Sequence, residues 1–204
     1  LAKAYSLAFA VNPRGPDHLH SECEAEFGGT EAAKDVIEKI TGDRSLARGG
    51  ITDKRPEIVR WHEDIYVITE GLGLCVFLTT SGFALDSDLM SQLFESATGI
   101  QMNSKKIMNA GRRTINLERA INVRLGYTGK EDTLPWRMMN DPVLTPEGDK
   151  ILTSKKELKE MLDKYYGLQG WDKETGMLTL KTLNELGLEN VADELKEKGK
   201  IKQI

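Results

Sequence analysis

The sequence predicts an all-α fold, a multihelical domain with little or no sheet. Two observations support this prediction: apolar residues recur at helical spacing in several segments, and these segments tend to begin at a capping residue and end at glycine or proline. A third observation is the lack of any convincing alternation of apolar and polar residues, the pattern of a half-buried strand. A helical pattern without strands favours helix-on-helix packing.

Three helices are predicted in the first 75 residues. The first covers Leu1–Val11, is apolar on almost every side and ends at a segment containing Pro13 and Pro16. The second starts at a Thr30 cap, runs to about Ile40 and stops at Gly42. The third has Pro56 in its first turn and an apolar stripe that leads to Gly71 and Gly73.

The longest helix is predicted from Ser104 to about Leu125, after a short one that Asp86 caps and Gly99 closes. Its inner face is predicted to comprise six residues: Ile107, Ala110, Thr114, Leu117, Ile121 and Leu125. Gly111 costs about 1 kcal/mol relative to alanine, so we expect it to allow close packing against another helix.

The last third of the chain predicts three further helices. Ser154 and Glu157 form a capping box that opens a helix ending at Gly167. Two short helices follow, over residues 179–186 and 190–198. The segments 128–135 and 141–153 are predicted to be loops.

Composition limits the function classes. The 204 residues are 39% hydrophobic and 29% charged, enough for a globular core in one large or two small domains, with a subdivision near residue 100 left open. The net charge of -4, without a basic patch interleaved with aromatics, argues against nucleic-acid binding. We expect no membrane span, and two cysteines 52 positions apart suit a reducing, cytoplasmic location.

The segment Glu70-Gly71-Leu72-Gly73-Leu74-Cys75 is the most distinctive stretch. It follows a predicted helix, and its glycines let backbone approach a ligand closely. A thiolate there is a candidate ligand for an iron-sulfur cluster. The alternative is that Cys75 is a buried small hydrophobe, the ordinary role of free cysteine; Cys23 has no stronger claim to a metal.

Histidines and arginines are the other candidates. His18 and His20 lie in a predicted loop, where an imidazole serves either as an acid or base or as a group satisfied by loop backbone. His62 is expected to pack inside a helix. The arginine-rich stretch 112–124 is either a solvated face or a set of buried, paired charges that would mark a domain interface.

The segment Glu70-x-x-Gly73-Leu74-Cys75 resembles the second pterin-binding motif of the tungsten-containing aldehyde:ferredoxin oxidoreductase family, Asp-x-x-Gly-Leu-Cys, with glutamate in place of aspartate. Other blocks keep the family's order: Pro13-Arg14-Gly15, Asp17-His18-Leu19, Gly111-Arg112-Arg113, Asn116-Leu117-Glu118-Arg119, Asn122-Val123-Arg124, Asp132-Thr133-Leu134-Pro135, Leu162-Asp163-Lys164-Tyr165-Tyr166, Gly170-Trp171-Asp172 and Leu186-Gly187-Leu188. Together they cover nearly the whole chain and match the C-terminal helical part of that family. A chain that begins with leucine rather than methionine fits a piece of a longer protein.

The resemblance implies roles for six residues. Cys75 would be the fourth ligand of a [4Fe-4S] cluster whose other three cysteines belong to a CxxCxxxC stretch absent here. Glu70 would take the place of the carboxylate that hydrogen-bonds the pterin, and the backbone of Gly73 and Leu74 would lie against it. His18 would sit beside the tungsten as a proton donor or orienting group. His20 would be a basic pterin contact.

The resemblance also implies partners and cofactors. The full-length enzyme would carry a tungstopterin (tungsten or molybdenum bis-pterin) and a [4Fe-4S] cluster, and would oxidise a small aldehyde to a carboxylic acid with ferredoxin as electron acceptor. This chain would work with the N-terminal and middle domains of the same protein; alone it should be inactive and bind no cofactor. The alternative is a non-catalytic helical module for binding or assembly that has kept the scaffold motifs.

Overall fold

The computed structural model describes residues 2–144, 148 and 150–202, and its architecture is helical. The helices of the described chain are α1 Lys3–Val11, α2 Glu31–Thr41, α3 Arg55–Gly71, α4 Ser87–Thr98, α5 Ser104–Leu125, α6 Trp136–Asn140, α7 Lys155–Gln169, α8 Leu180–Glu185 and α9 Glu189–Glu197. Two-residue strands β1 (Val143–Leu144) and β2 (Lys150–Ile151) pair antiparallel. The all-α prediction is confirmed. Leu1 and residues 145–147 and 149, which the sequence assigns to a helix and to a loop, lie outside the described residues.

Helix α3 is the central element, since it packs against α1, α2, α5 and α7. The α3–α5 contact is close at Gly111, where an added Cβ would lie 2.6 Å from the backbone oxygen of Asp64 and 3.0 Å from Cδ1 of Ile68. The expected reason for a glycine at this position is therefore confirmed. Helix α1 is enclosed as predicted, with buried side chains on almost every side.

The buried apolar residues form two clusters. The larger joins α1, α2, α3, α5 and α7 to the two last helices. The smaller consists of Ile65, Ile68, Met90 and Ile107, and Leu72 and Leu74 pack against it. Each fully buried side chain of this size contributes about 1.5–3 kcal/mol. The smaller cluster therefore holds the segment that follows the end of α3 firmly against the domain.

The predicted helix caps are present. Thr30, Asp86 and Ser154 each accept a hydrogen bond from a backbone N–H in the first turn, and Ser154 with Glu157 forms the full capping box. The predicted end of α7 at Gly167 is wrong. The helix continues to Gln169, and Gly170 ends it with a left-handed φ of 72°.

The predicted inner face of α5 is also wrong, apart from Ile107. Ala110 and Thr114 are exposed, and Leu117, Ile121 and Leu125 are exposed at 36%, 48% and 73%. The buried face instead carries the residues Ile107, Gly111, Arg112, Ile115, Asn116, Arg119, Ala120 and Val123. Because many residues on this face are small or polar, hydrophobicity alone does not identify it as the buried face.

Some arginines of α5 are buried and paired, and others belong to a solvated face, so each of the two interpretations holds for part of the helix. Arg112 and Arg119 are buried and paired, the first with Asp64 on α3 and the second with Asp132. Arg124 is exposed and lies 3.4 Å from Glu194. The buried pairs fix α5 to α3 and to the segment after residue 130. No helix in the described part of the chain is long and apolar enough to cross a membrane.

Candidate functional site

The segment Glu70–Cys75 is a helix end of Schellman type. Gly73 has a left-handed φ of 68°, the Leu74 N–H donates to the Thr69 carbonyl at 3.0 Å, and the Gly73 N–H donates to the Glu70 carbonyl at 3.0 Å. Leu74 then packs into the smaller apolar cluster together with Ile68. Glycine is needed here because other residues strain at this φ. The turn leaves Glu70 exposed at its edge.

Cys75 follows this turn and is exposed, whereas Cys23 is buried with 1% exposure. The interpretation of Cys75 as a buried small hydrophobe is therefore wrong, and that description fits Cys23, whose burial raises the pKa of its thiol. The Cys75 carbonyl accepts from the Leu78 N–H at 3.0 Å and opens a single 3₁₀ turn. The exposed thiol is thus carried by a short, hydrogen-bonded segment.

Two threonines hold that segment in place. The Thr69 hydroxyl bonds the hydroxyl of Thr79 at 3.1 Å, and the Thr79 hydroxyl donates to the Val76 carbonyl at 3.0 Å. Both threonine side chains are buried. Phe77 and Leu78, by contrast, are exposed at 57% and 47% beside Cys75. Exposed apolar side chains therefore flank Cys75, and the two buried threonines hold the backbone of its segment in place.

The loop after α1 carries His18 in an exposed position. Its backbone is fixed at both ends: the Asn122 amide donates to the Pro13 carbonyl at 2.9 Å, and the Asn12 amide donates to the Ser21 hydroxyl at 2.9 Å. Asp17 accepts from the backbone N–H of Leu19 at 2.9 Å. His18 is therefore a solvent-facing imidazole on a well-held loop.

Arg14 connects this loop to the Glu70 turn. Its guanidinium lies 3.3 Å from the Asp17 carboxylate and 3.5 Å from the Glu70 carboxylate. Sequence reasoning missed Arg14 as a site residue, although a cation four positions before His18 was a signal. The structure thus brings the loop that carries His18 and the turn that carries Leu74 to one surface. The two residues are 56 positions apart in the sequence.

His20 and His62 are both buried, and both rings lie near the ring of Tyr66. Each has 1% exposure, and the ring centroids lie 4.7 Å and 6.0 Å from that of Tyr66. Burial, with the charge of Arg14 in second place, lowers the pKa of His20 to about 4, and burial lowers the pKa of His62 to about 3. Both imidazoles are neutral near pH 7. The packing role predicted for His62 is confirmed, and His20 does not share the exposed surface of His18.

The site is an edge rather than an enclosed centre. Within the described residues there is no group of three or more histidine, cysteine, aspartate or glutamate side chains that could hold a metal ion. One thiol, one carboxylate and one imidazole are exposed along the edge, at Cys75, Glu70 and His18. Fold and edge together define a multihelical domain that exposes a thiol, a carboxylate and an imidazole.

Comparison with known proteins identifies the family. Residues 1–188 match the family model described as "Aldehyde ferredoxin oxidoreductase, domains 2 & 3", and the chain belongs to this family. It is 32% identical over 190 residues to a tungsten-containing aldehyde ferredoxin oxidoreductase of Pyrococcus horikoshii, and 29% identical over 189 residues to that of Pyrococcus furiosus. Each match covers 92% of this chain and 28% of the relative. The chain therefore spans little more than a quarter of these curated relatives' length.

A solved structure shares the fold. The active site complex BamBC of benzoyl coenzyme A reductase, solved with 1,5-dienoyl-CoA, superposes with a TM-score of 0.73 over 98% of this chain and 32% of that one. Sequence identity is 22%, so this likeness concerns the fold alone. The resemblance of the sequence motifs to the oxidoreductase family is confirmed by the family match.

Proposed function

We propose that this chain forms one edge of the cofactor site in a tungsten-containing aldehyde:ferredoxin oxidoreductase. When bound, a tungstopterin and a [4Fe-4S] cluster supply the oxidation of a small aldehyde and water to a carboxylate, with electrons passed to ferredoxin. Family membership supports the reaction class. The observation that carries the site is the bridge from Arg14 to both Asp17 and Glu70, because it unites the His18 loop with the Cys75 turn.

Cys75 is proposed as the fourth cluster ligand. Its thiol is exposed and its backbone is fixed by hydrogen bonds, which suits a ligand that must meet a rigid cluster without rearrangement. The other three thiolates would come from the CxxCxxxC stretch in the remainder of the full-length protein. Exposed Phe77 and Leu78 would then be covered by that same part of the polypeptide, excluding water around the sulfur.

Glu70, Gly73 and Leu74 are proposed to contact the pterin. The position of a Cβ at Gly73 has no atom within 4 Å, so a flat ring has access to the backbone of this turn. Glutamate replaces the family's aspartate, and the added methylene lengthens the carboxylate arm. Arg14 lies 3.5 Å from that carboxylate and orients it. The residues present therefore fit a hydrogen-bonding edge for a heterocycle.

His18 is proposed to hold and release a proton beside the tungsten. The exposed position of His18 gives it access both to a bound substrate and to solvent. His20 would contact the pterin only as a neutral imidazole, since burial holds its pKa at about 4. Partners of the chain are the N-terminal and middle domains, ferredoxin and the aldehyde, in the cytoplasm.

Metal analysis tests this proposal. The full native polypeptide, purified without oxygen from its source, should contain tungsten and iron, and Cys75→Ser should lose the spectroscopic signature of the four-iron cluster. The matched control is Cys23→Ser, which removes a buried thiol and should keep the cluster. Absence of both tungsten and iron from the wild-type protein would reject the proposal and favour the non-catalytic assembly module.

A further inference from the structure

A polar cavity lies on the other side of α3, outside the proposed cofactor edge. Its volume is about 450 Å³, and α2, α3, α4, α5 and α7 all contribute to its lining. Charged side chains line one part of it, among them Lys39, Arg60, Asp64 and Arg112. The proposed function does not use this cavity, although Arg112 belongs to one of the sequence blocks that resemble the family.

Four lining side chains each carry a buried polar atom without a partner in the described structure. These atoms are Nε of Arg60, Nε of Arg112, Oδ1 of Asp64 and Oε2 of Glu57. Arg112 and Asp64 are more than nine-tenths buried, at 7% and 5% exposure. Buried polar groups in proteins almost always have hydrogen-bond partners. Two donors and two acceptors on residues that line one cavity suit a ligand that both accepts and donates hydrogen bonds.

Charge makes the cavity favourable for an anion. Among the described residues no carboxylate lies within 4.0 Å of the Arg60 guanidinium, and burial, followed by the charge of Arg112, lowers its pKa. Lys39 adds a third cation. The first residues of α4 and α5, Ser87 and Ser104, both line the cavity, so two helix N-termini add partial positive charge. The cations outnumber the carboxylates Glu57 and Asp64.

We propose that this cavity binds inorganic hydrogen phosphate. Arg60 and Arg112 donate to the phosphate oxygens, and the unpartnered oxygen of Asp64 accepts from the hydroxyl that the anion retains at neutral pH. Sulfate keeps no hydroxyl at this pH, so the carboxylates repel it.

Calorimetric titration of the full native polypeptide at constant ionic strength tests the site. Inorganic phosphate should bind saturably with one site per chain, and sulfate at least about tenfold more weakly. Arg60→Gln should weaken phosphate binding about tenfold or more, the scale of one lost hydrogen bond to a charged group. The matched control is Arg124→Gln, which removes the same charge from an exposed position outside the cavity and should leave binding unchanged.

A replacement variant and a second ligand complete the experiment. If Arg60→Gln does not fold, Lys39→Gln replaces it, since this side chain is 62% exposed and its loss should still weaken binding severalfold. Phenyl phosphate, which is largely a dianion without a hydroxyl near pH 7, should bind more weakly than inorganic phosphate, and tighter binding of phenyl phosphate would contradict the role given to Asp64. Lack of saturable phosphate binding, equal affinity for sulfate, or an equal loss in Arg124→Gln would overturn the proposal.

Discussion

The hydroxyl of Tyr165 donates to the carboxyl group of Glu63, 2.9 Å from Oε2 and 3.0 Å from Oε1, inside the contact between α7 and α3. The Gln169 amide donates to the same group at 3.2 Å. Burial is the largest cause that raises the pKa of Glu63, from 4.5 to about 8, and the hydrogen bond from Tyr165 only partly opposes it. Glu63 is therefore a neutral acid in the core near pH 7.

We expect Glu63 to make folding stability fall as the pH rises toward 8. Between pH 4.5 and about 8 the folded chain keeps a proton that the unfolded chain has released, so this contribution is complete below pH 4.5 and lost above 8. The slope is at most about 1.4 kcal/mol per pH unit. Denaturant unfolding from pH 6 to 8.5 should show this loss in the wild type and not in Glu63→Gln. Parallel curves for the two proteins would contradict the assignment.

In contrast to Glu63, His62 should make folding stability fall as the pH decreases. Its folded pKa of about 3 lies below the ordinary 6.5, so the unfolded chain binds a proton first and stability is lost as the pH falls from 6.5 toward 3. His62→Leu should flatten this acid loss by up to about 1.4 kcal/mol per pH unit. His18→Gln is the control, because it removes an imidazole that is exposed rather than buried. Unfolding free energies at pH 4, 5, 6 and 7 decide between these outcomes.

Much of the helical layout is predictable from the sequence, because caps and stop signals act locally. Thr30, Asp86 and Ser154 bond backbone groups three residues away, so their spacing alone identifies a helix start. The inner face of α5 is not predictable in this way. Its burial depends on Arg112 and Arg119 finding partners on distant segments, while the apolar residues Ile121 and Leu125 stay exposed.

In the candidate site too, some features follow from local sequence and others depend on contacts between distant segments. The glycine at 73 and the helix end before Cys75 follow from local sequence, as does a loop around His18. The bridge from Arg14 to Glu70 does not, since the two residues are 56 positions apart and meet only through packing of α1, α3 and α5. Exposure of Cys75 and burial of Cys23 likewise depend on tertiary structure. Their flanking residues alone do not distinguish them.

Gly111→Ala should destabilise the chain despite the better helix propensity of alanine. Its Cβ would lie 2.6 Å from the Asp64 carbonyl oxygen, so α3 and α5 must separate, at a cost of about 1–3 kcal/mol. The matched control is Gly167→Ala, inside α7, where the new Cβ meets only the flexible end of Lys173 at 3.0 Å. That variant should be neutral or stabilised by up to about 1 kcal/mol. Urea midpoints that rank the two variants in the opposite order would refute this prediction.

Asp132→Asn should be one of the more damaging single substitutions. The Asp132 carboxylate accepts hydrogen bonds from the two terminal guanidinium nitrogens of Arg119, at 2.8 Å and 2.7 Å. The pair is 95% buried, and the Arg119 guanidinium lies over the Trp171 ring. Loss of the negative charge leaves Arg119 unpaired in the core, which costs about 3–5 kcal/mol. Asp141→Asn breaks the exposed pair with Arg137 and should change stability by less than about 1 kcal/mol. Chemical denaturation of both variants measures the contrast.

The 204 residues alone should form no [4Fe-4S] cluster, even when iron and sulfide are supplied without oxygen. A four-iron cluster needs four thiolates, and of the two cysteines Cys23 is buried while only Cys75 reaches the surface. Absorption spectra after reconstitution should show no four-iron band, whereas the full native polypeptide treated in parallel should show one. A band in the isolated chain that disappears in Cys75→Ser would contradict this expectation, because it would mean that copies of the chain assemble a cluster without the CxxCxxxC segment.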